Sequence, residues 1–111
     1  MQVVFLEQGE RLIARPEGRM EAADGAELAA SIEQRLGPTT KAVSIDLAQL
    51  DFVNFGGIRA ILRLARWLTR QQRGIDFLNG NEAVRAALDQ AGLDDFFPFQ
   101  PPYISTRGIL K

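Results

Sequence analysis

The residues with the most chemical potential lie at one junction and along the helix that follows it. Val43-Ser44-Ile45-Asp46-Leu47 leads through Ala48-Gln49-Leu50-Asp51-Phe52-Val53 into Asn54-Phe55-Gly56-Gly57-Ile58. Asn54 is suited to cap a helix, its side chain accepting from the N–H of Gly56 or Gly57. A helix starting there aims unpaired N–H groups and partial positive charge at the end of a sheet. The two glycines are expected to leave that backbone bare and accessible. Arg59, Arg63, Arg66, Arg70 and Arg73 follow at spacings of four, three, four and three, one stripe of a helix. No acidic residue lies between Phe55 and Arg73. The stripe reads either as a solvated face or as a surface that meets an acidic partner.

Other chemistries find less support. Phe55 reads either as a core residue or as an exposed anchor for a partner pocket. Gly56-Gly57 is most simply a tight helix start; no P-loop lysine or dinucleotide-binding spacing accompanies it. Asp46 at the end of a strand resembles a phospho-accepting receiver aspartate, but the acidic pair and late lysine of a receiver are missing. Asp94-Asp95 are neighbours in sequence and do not form a facing carboxylate pair. The chain has no histidine and no cysteine, which removes the commonest general base, the thiol nucleophile and the usual zinc ligands. These absences point away from an enzyme, a metal site or a bound cofactor, and to no catalytic residue.

The composition agrees with a folded soluble protein. A chain of 111 residues, 46% hydrophobic and 24% charged, suffices for one core and is not disordered in character. Its net charge of −1 predicts no global attraction to nucleic acid or to an anionic membrane. Setting the five stripe arginines aside leaves eight basic residues against 14 acidic ones, so the charge is polarised onto one helix. No apolar run approaches the ~20 residues of a membrane span. Met1 to Glu7 lacks the basic start and long apolar stretch of a signal peptide. A cytoplasmic location is the expectation.

The elements that position these residues can be taken in order. Val3–Leu6 and Arg11–Arg15 read as a hairpin, with Leu12 and Ala14 on one face and Ile13 on the other. Pro16 is expected to stop the second strand or hold it at an edge, and Glu17-Gly18-Arg19 to turn. Asp24 is expected to cap a helix that buries Leu28, Ala29, Ile32 and Leu36, ended by a left-handed Gly37 and by Pro38. The strand Val43–Leu47 follows, and residues 48–53 read as a compact turn. The second helix, from about Phe55 to Arg73, turns Ile58, Ile61, Leu62, Ala65 and Leu68 to the core. Ala60, Leu64 and Trp67 make a third stripe, with Trp67 nearly opposite the core. Gly74 is expected to end that helix before the strand Ile75–Leu78. Asn81 caps a third helix with Val84, Ala87, Leu88 and Ala91 inward, closed by Gly92 with Leu93 folded back on Leu88. Phe96-Phe97-Pro98-Phe99 reads as a final strand or an aromatic plug, and residues 100–111 as a weakly specified tail.

The predicted order is β-β-α-β-α-β-α, an α/β domain with a small mixed sheet and helices packed on it. A right-handed parallel crossover is expected around the first helix. Asp46-Leu47, then Asp51-Phe52-Val53-Asn54, then Gly57-Ile58 and a long helix resemble the signature of the STAS domain, named for sulfate transporters and anti-sigma factor antagonists. Residues 81–97 resemble it too, as does Glu17-Gly18-Arg19 leading into the first helix. The resemblance covers roughly residues 9 to 99, and we read 1–99 as the domain and 100–111 as its tail. It implies a non-enzymatic bacterial regulatory domain whose partner is an anti-sigma factor kinase or another signalling protein. The alternative it leaves is a regulatory subunit of a lipid-transport ATPase complex, and homodimerisation stays open. The expected partner surface comprises Asn54, Phe55, Gly56, Gly57, Arg59, Arg63, Arg66 and Trp67. Anti-sigma factor antagonists typically carry Asp-Ser-Ser-Gly or Asp-Thr-Ser-Gly at the helix start, with the second hydroxyl phosphorylated. Asn54-Phe55-Gly56-Gly57 stands there instead. Gly56 takes the acceptor position, so the resemblance implies no phosphorylation switch at this site.

Overall fold

The computed structural model describes residues 1–93 and Phe96. The order of elements is β1 (Gln2–Gln8), β2 (Arg11–Met20), α1 (Ala22–Arg35), β3 (Ala42–Asp46), β4 (Leu50–Val53), α2 (Phe55–Arg70), β5 (Gly74–Leu78) and α3 (Glu82–Gln90). The small mixed sheet runs β1-β2-β3-β5, with β4 joined to β2. Only β1 is antiparallel to its neighbour; β2, β3, β4 and β5 pair in parallel. The core lies between the sheet and the helices, with Leu12, Val43, Ile45, Ile61, Leu68 and Phe77 among its fully buried members. Val43 and Ile45 supply two inward residues from the middle strand, as their alternation with Ser44 demands.

The opposite face of that strand carries a polar cross-strand contact. Ser44 is buried and donates from Oγ to Asp76 Oδ1 at 2.5 Å, while Arg11 donates to the same Oγ at 2.6 Å. Three neighbouring strands are thus stapled by one hydroxyl. Arg11 also pairs with Asp76 at 3.3 Å.

Several sequence expectations are corrected at β2. The strand does not stop at Pro16 but continues to Met20. Pairing to β3 ends at Ala14, and pairing to β4 begins at Gly18. Pro16 falls between the two ladders, where no bond on that side requires its absent N–H. Glu17-Gly18-Arg19 is therefore strand rather than turn, with a register shift at Gly18/Arg19. Gly18 adopts φ +97, a conformation only glycine accepts readily, and its N–H donates to Gln49 O at 3.0 Å. Residues 50–53, read as turn, form β4: Leu50 and Val53 are buried, Asp51 and Phe52 exposed.

The helix ends also differ from expectation. The N-cap of α1 is Glu21; Asp24 sits in the first turn and accepts from the Glu21 N–H at 2.9 Å. Gly37 is not left-handed, and α1 ends in an extended Leu36. At the end of α2 the left-handed residue is Gln72, φ 61, and not Gly74, which opens β5. Arg73 N–H bonds Leu68 O and Gln72 N–H bonds Thr69 O, so a Schellman motif forms around a non-glycine residue. The end of α3 is as read: Gly92 has φ +83, Leu93 N–H bonds Leu88 O at 3.0 Å, and Leu93 is buried. Phe96 sets its ring edge-to-face on Phe77, centroids 6.1 Å apart. Asp94-Asp95, the final strand beyond Phe96 and the tail lie outside the described residues.

Two features seat α2. Trp67, expected nearly opposite the core, belongs to a stripe with Ala60 and Leu64 that turns toward α1. Leu64 is buried and Trp67 half-buried, and both line a cleft with Ala29 and Glu33 of α1. The helices α1 and α2 approach almost backbone to backbone. A Cβ at Gly25 would stand 2.6 Å from Ala60 Cβ, and one at Gly56 would stand 2.5 Å from Ala22 Cβ. A Cβ at Gly57 would meet Met20 O at 2.7 Å. Gly56 and Gly57 are thus packed, not bare.

This packing makes Gly56→Ala destabilising, by about 1–3 kcal/mol as for other overpacked sites. Ala22→Gly placed on top of it should restore part of the loss, since it removes the opposing methyl but leaves the Ala22 Cα 3.0 Å from the new Cβ. Urea unfolding of the two single variants and the double variant checks the coupling; strictly additive losses would contradict the contact. A second prediction separates Arg73 from its stripe. Arg73 donates to Thr40 O at 2.9 Å and to Gly37 O at 3.1 Å, clasping the turn between α1 and β3. Arg73→Ala should cost about 1–3 kcal/mol, as charged hydrogen bonds do. Arg66→Ala on the exposed face should stay within about 0.5 kcal/mol, read from the same unfolding curves.

Candidate interaction site

The site grows from the way β4 delivers the chain to α2. Asn54 N–H bonds Met20 O at 3.0 Å, tying the junction to the end of β2. Asn54 then caps α2 as expected, Oδ1 accepting from the Gly57 N–H at 2.9 Å. The cap satisfies one of the orphan donors of the first turn. With Asn54 tied back and Gly56 and Gly57 turned inward, Phe55 has one direction left. Its side chain is 86% exposed, which settles the choice between core residue and outward residue.

Phe55 does not stand alone. Phe52, 38% exposed, carries the Arg19 guanidinium over its ring at 4.2 Å from the centroid. A groove of about 350 Å³ opens beside it, lined by Phe52, Val53, Phe55 and Ile58, by Ala87 of α3 and by Ala91, which caps that helix. Its walls are mostly apolar, with the Asn54 and Gln90 side chains at its polar points. Sequence reasoning missed Phe52, Ala87 and Ala91 as members of this surface. Phe52 was legible as an aromatic two residues before a helix cap, but reading 48–53 as turn gave it no face. Ala87 and Ala91 were assigned inward, and both are half-buried at the groove wall.

The arginines divide into two groups. Arg59, Arg63, Arg66 and Arg70 are exposed, and no described acid pairs with any of them. Arg73 lies outside the helix and is structural. The half-buried Trp67 ring lies in the cleft with Arg63 and Arg70. The expected partner surface is therefore only partly one surface. Phe55, Arg59, Arg63 and Arg66 are exposed, Asn54 and Trp67 line its two ends, and Gly56 and Gly57 serve as packing beneath it.

Asp46 is engaged locally, accepting from the Ala48 N–H at 3.0 Å and from Asn79 Nδ2 at 2.8 Å, an arrangement that shapes the strand end. Among the described residues no group of three or more His, Cys, Asp or Glu side chains could hold a metal ion. No described helix is long and apolar enough to cross a membrane.

Known proteins share this architecture. The fold matches SpoIIAA, an anti-sigma factor antagonist, in its unphosphorylated form with TM-score 0.73, 16% identity, 91% of this chain and 90% of that one covered. SpoIIAA from Bacillus in its phosphorylated form gives TM-score 0.70 and 16% identity over 91% and 93% of the two chains. An anti-sigma factor antagonist from Mycobacterium paratuberculosis gives TM-score 0.71 and 18% identity over 98% and 90%. The protein Mglu contains a similar portion, TM-score 0.64 and 16% identity, but 71% of this chain spans only 20% of that one. None of the curated proteins matches in sequence. The family model of the STAS domain matches residues 2–104, and the chain belongs to the STAS domain family.

Proposed function

We propose that this domain is a non-enzymatic regulatory module of the cytoplasm, similar to anti-sigma factor antagonists, that binds a signalling protein through the start and outer face of α2. The partner class is an anti-sigma factor kinase or another signalling protein. The carrying observation is Phe55, a large aromatic held in solvent at the first residue of α2 by a cap and two packed glycines. An exposed aromatic next to an apolar groove fits the anchors that carry interface energy, and a rigid helix start presents it with little ordering cost. Asn54, Arg59, Arg63, Arg66 and Trp67 surround the anchor, and Gly56 and Gly57 set its position.

Binding here is constitutive. Residues 54–57 contain no hydroxyl, and the Gly56 position has no room for a side chain against Ala22. Both observations support a domain without the family's switch at this site. Other described hydroxyls serve different ends: Ser44 is buried in the sheet, and Thr69 donates to Ala65 O.

The test is calorimetry of Phe55→Ala with the partner purified from the native host. Affinity should fall at least tenfold, about 1.4 kcal/mol, while the melting temperature stays nearly unchanged because the ring is solvated. Unchanged affinity would remove this surface from consideration. A lipid-transport ATPase subunit as the purified partner would instead place the domain in such a complex. Mass spectrometry after kinase treatment checks the missing switch: stoichiometric phosphate at Ser31, Thr39, Thr40, Ser44, Thr69, Ser105 or Thr106, with loss of binding, would show that the switch has moved.

A further inference from the structure

We infer that the outer face of α2 is built to receive an acidic amphipathic helix of the partner, laid along α2 with an apolar side chain at the Phe55 end. This rests on the proposed binding function and specifies its partner chemistry. At 100° per residue, Phe55, Arg66, Arg59, Arg70 and Arg63 fall in that order within a sector of about 80°. Leu62 and Thr69 lie within about 40° on the other side of Phe55. Phe55, Leu62 and Thr69 recur at sevens, the repeat on which two helices keep a common seam. Leu62 is half-buried and Thr69 exposed, so this edge offers a shallow seam. The four arginines form the adjoining edge, spaced four, three and four. The row from Arg59 to Arg70 spans about 16 Å, or three helical turns. Carboxylates repeating at the same spacing on a facing helix would meet each guanidinium in turn.

Charge decides between this occupant and a broader polyanion. The helix α2 carries four arginines and no acid. The rest of the chain holds nine basic residues against 14 acidic ones. Glu33 of α1 is exposed at the cleft beside Arg63 and Arg70. The positive strip is thus one helix face wide on an otherwise acidic molecule. A nucleic acid or an anionic membrane would reach past the strip onto a remainder that is acidic on balance, and would gain less there than from the strip. A single helix, about 10 Å across, covers the strip and little else.

Trp67 is the chain's sole tryptophan and shares its cleft with Arg63 and Arg70, so its fluorescence reports on the strip directly. The probe is a four-turn peptide with glutamates spaced four, three and four and one leucine at an end. Its controls are the glutamine version, phosphatidylglycerol vesicles and a DNA duplex. The glutamate peptide should shift Trp67 emission saturably and bind at least tenfold tighter than the glutamine version at low salt, weakening as salt rises. Arg59→Gln with Arg66→Gln should weaken it at least tenfold with an unchanged circular dichroism spectrum. Tighter binding of vesicles or DNA than of the peptide would overturn the inference, as would an arginine double variant that binds the peptide normally. The native partner distinguishes the acidic helix from the Phe55 anchor. Loss of its binding in Phe55→Ala but not in the arginine double variant overturns the acidic helix and leaves the proposed function standing. Loss in both variants supports both.

Discussion

The close approach of α1 and α2 governs what this domain presents to solvent. Gly25 against Ala60, and Ala22 against Gly56, let two backbones meet with only an alanine methyl between them. Gly57 presses on Met20 O from the other side. With the first turn of α2 gripped in this way, its rotation about the helix axis is fixed. Phe55 then faces outward, the arginines follow it along the same side, and Ile61, Ala65 and Leu68 reach the core. A helix that could roll by one residue would exchange these faces. Small residues at the crossing therefore set which face of α2 meets solvent.

The site's electrostatics follow from the same placement. An α-helix start carries partial positive charge, and α2 adds four exposed arginines beyond it. Arg73 resembles them in sequence spacing but performs a different task, donating to two carbonyls of the turn that connects α1 to β3. One stripe thus contains four exposed arginines and a structural clasp. Only the end of the helix at Arg70 separates them. The Ser44–Asp76–Arg11 contact does comparable structural work on the far side of the sheet.

Much of this architecture was legible in the sequence because it rests on local signals. Asn54 and Asn81 cap their helices through their own side chains, and Gly92 closes α3 by a conformation that glycine favours. The alternation around Ser44 named the middle strand. What escaped was non-local. The strand β4 is four residues with two adjacent exposed positions, and it exists because the far half of β2 lacks a neighbour on that side. Pro16 and Gly18 look like a strand's end until two separate ladders flank them. Gln72 takes the left-handed conformation after α2, ending the helix before Gly74 without a glycine to signal it. The contacts of Gly25, Gly56 and Gly57 depend on which distant backbone arrives, and a missing side chain leaves no pattern to follow. Exposure of Phe55 was undecidable from its type alone, since its direction is set by those glycines.

The central claim is that a partner docks on the Phe55 end and arginine edge of α2. Chemical-shift mapping of the isotope-labelled domain with its native partner tests it most directly, because every face of the molecule reports in one titration. The largest shifts are expected at Phe52, Phe55, Arg59 and Arg66, continuing to Ala87 and Ala91 across the groove. Shifts concentrated instead at Val4, Leu6 and Ile13, on the outer face of the sheet, would contradict it.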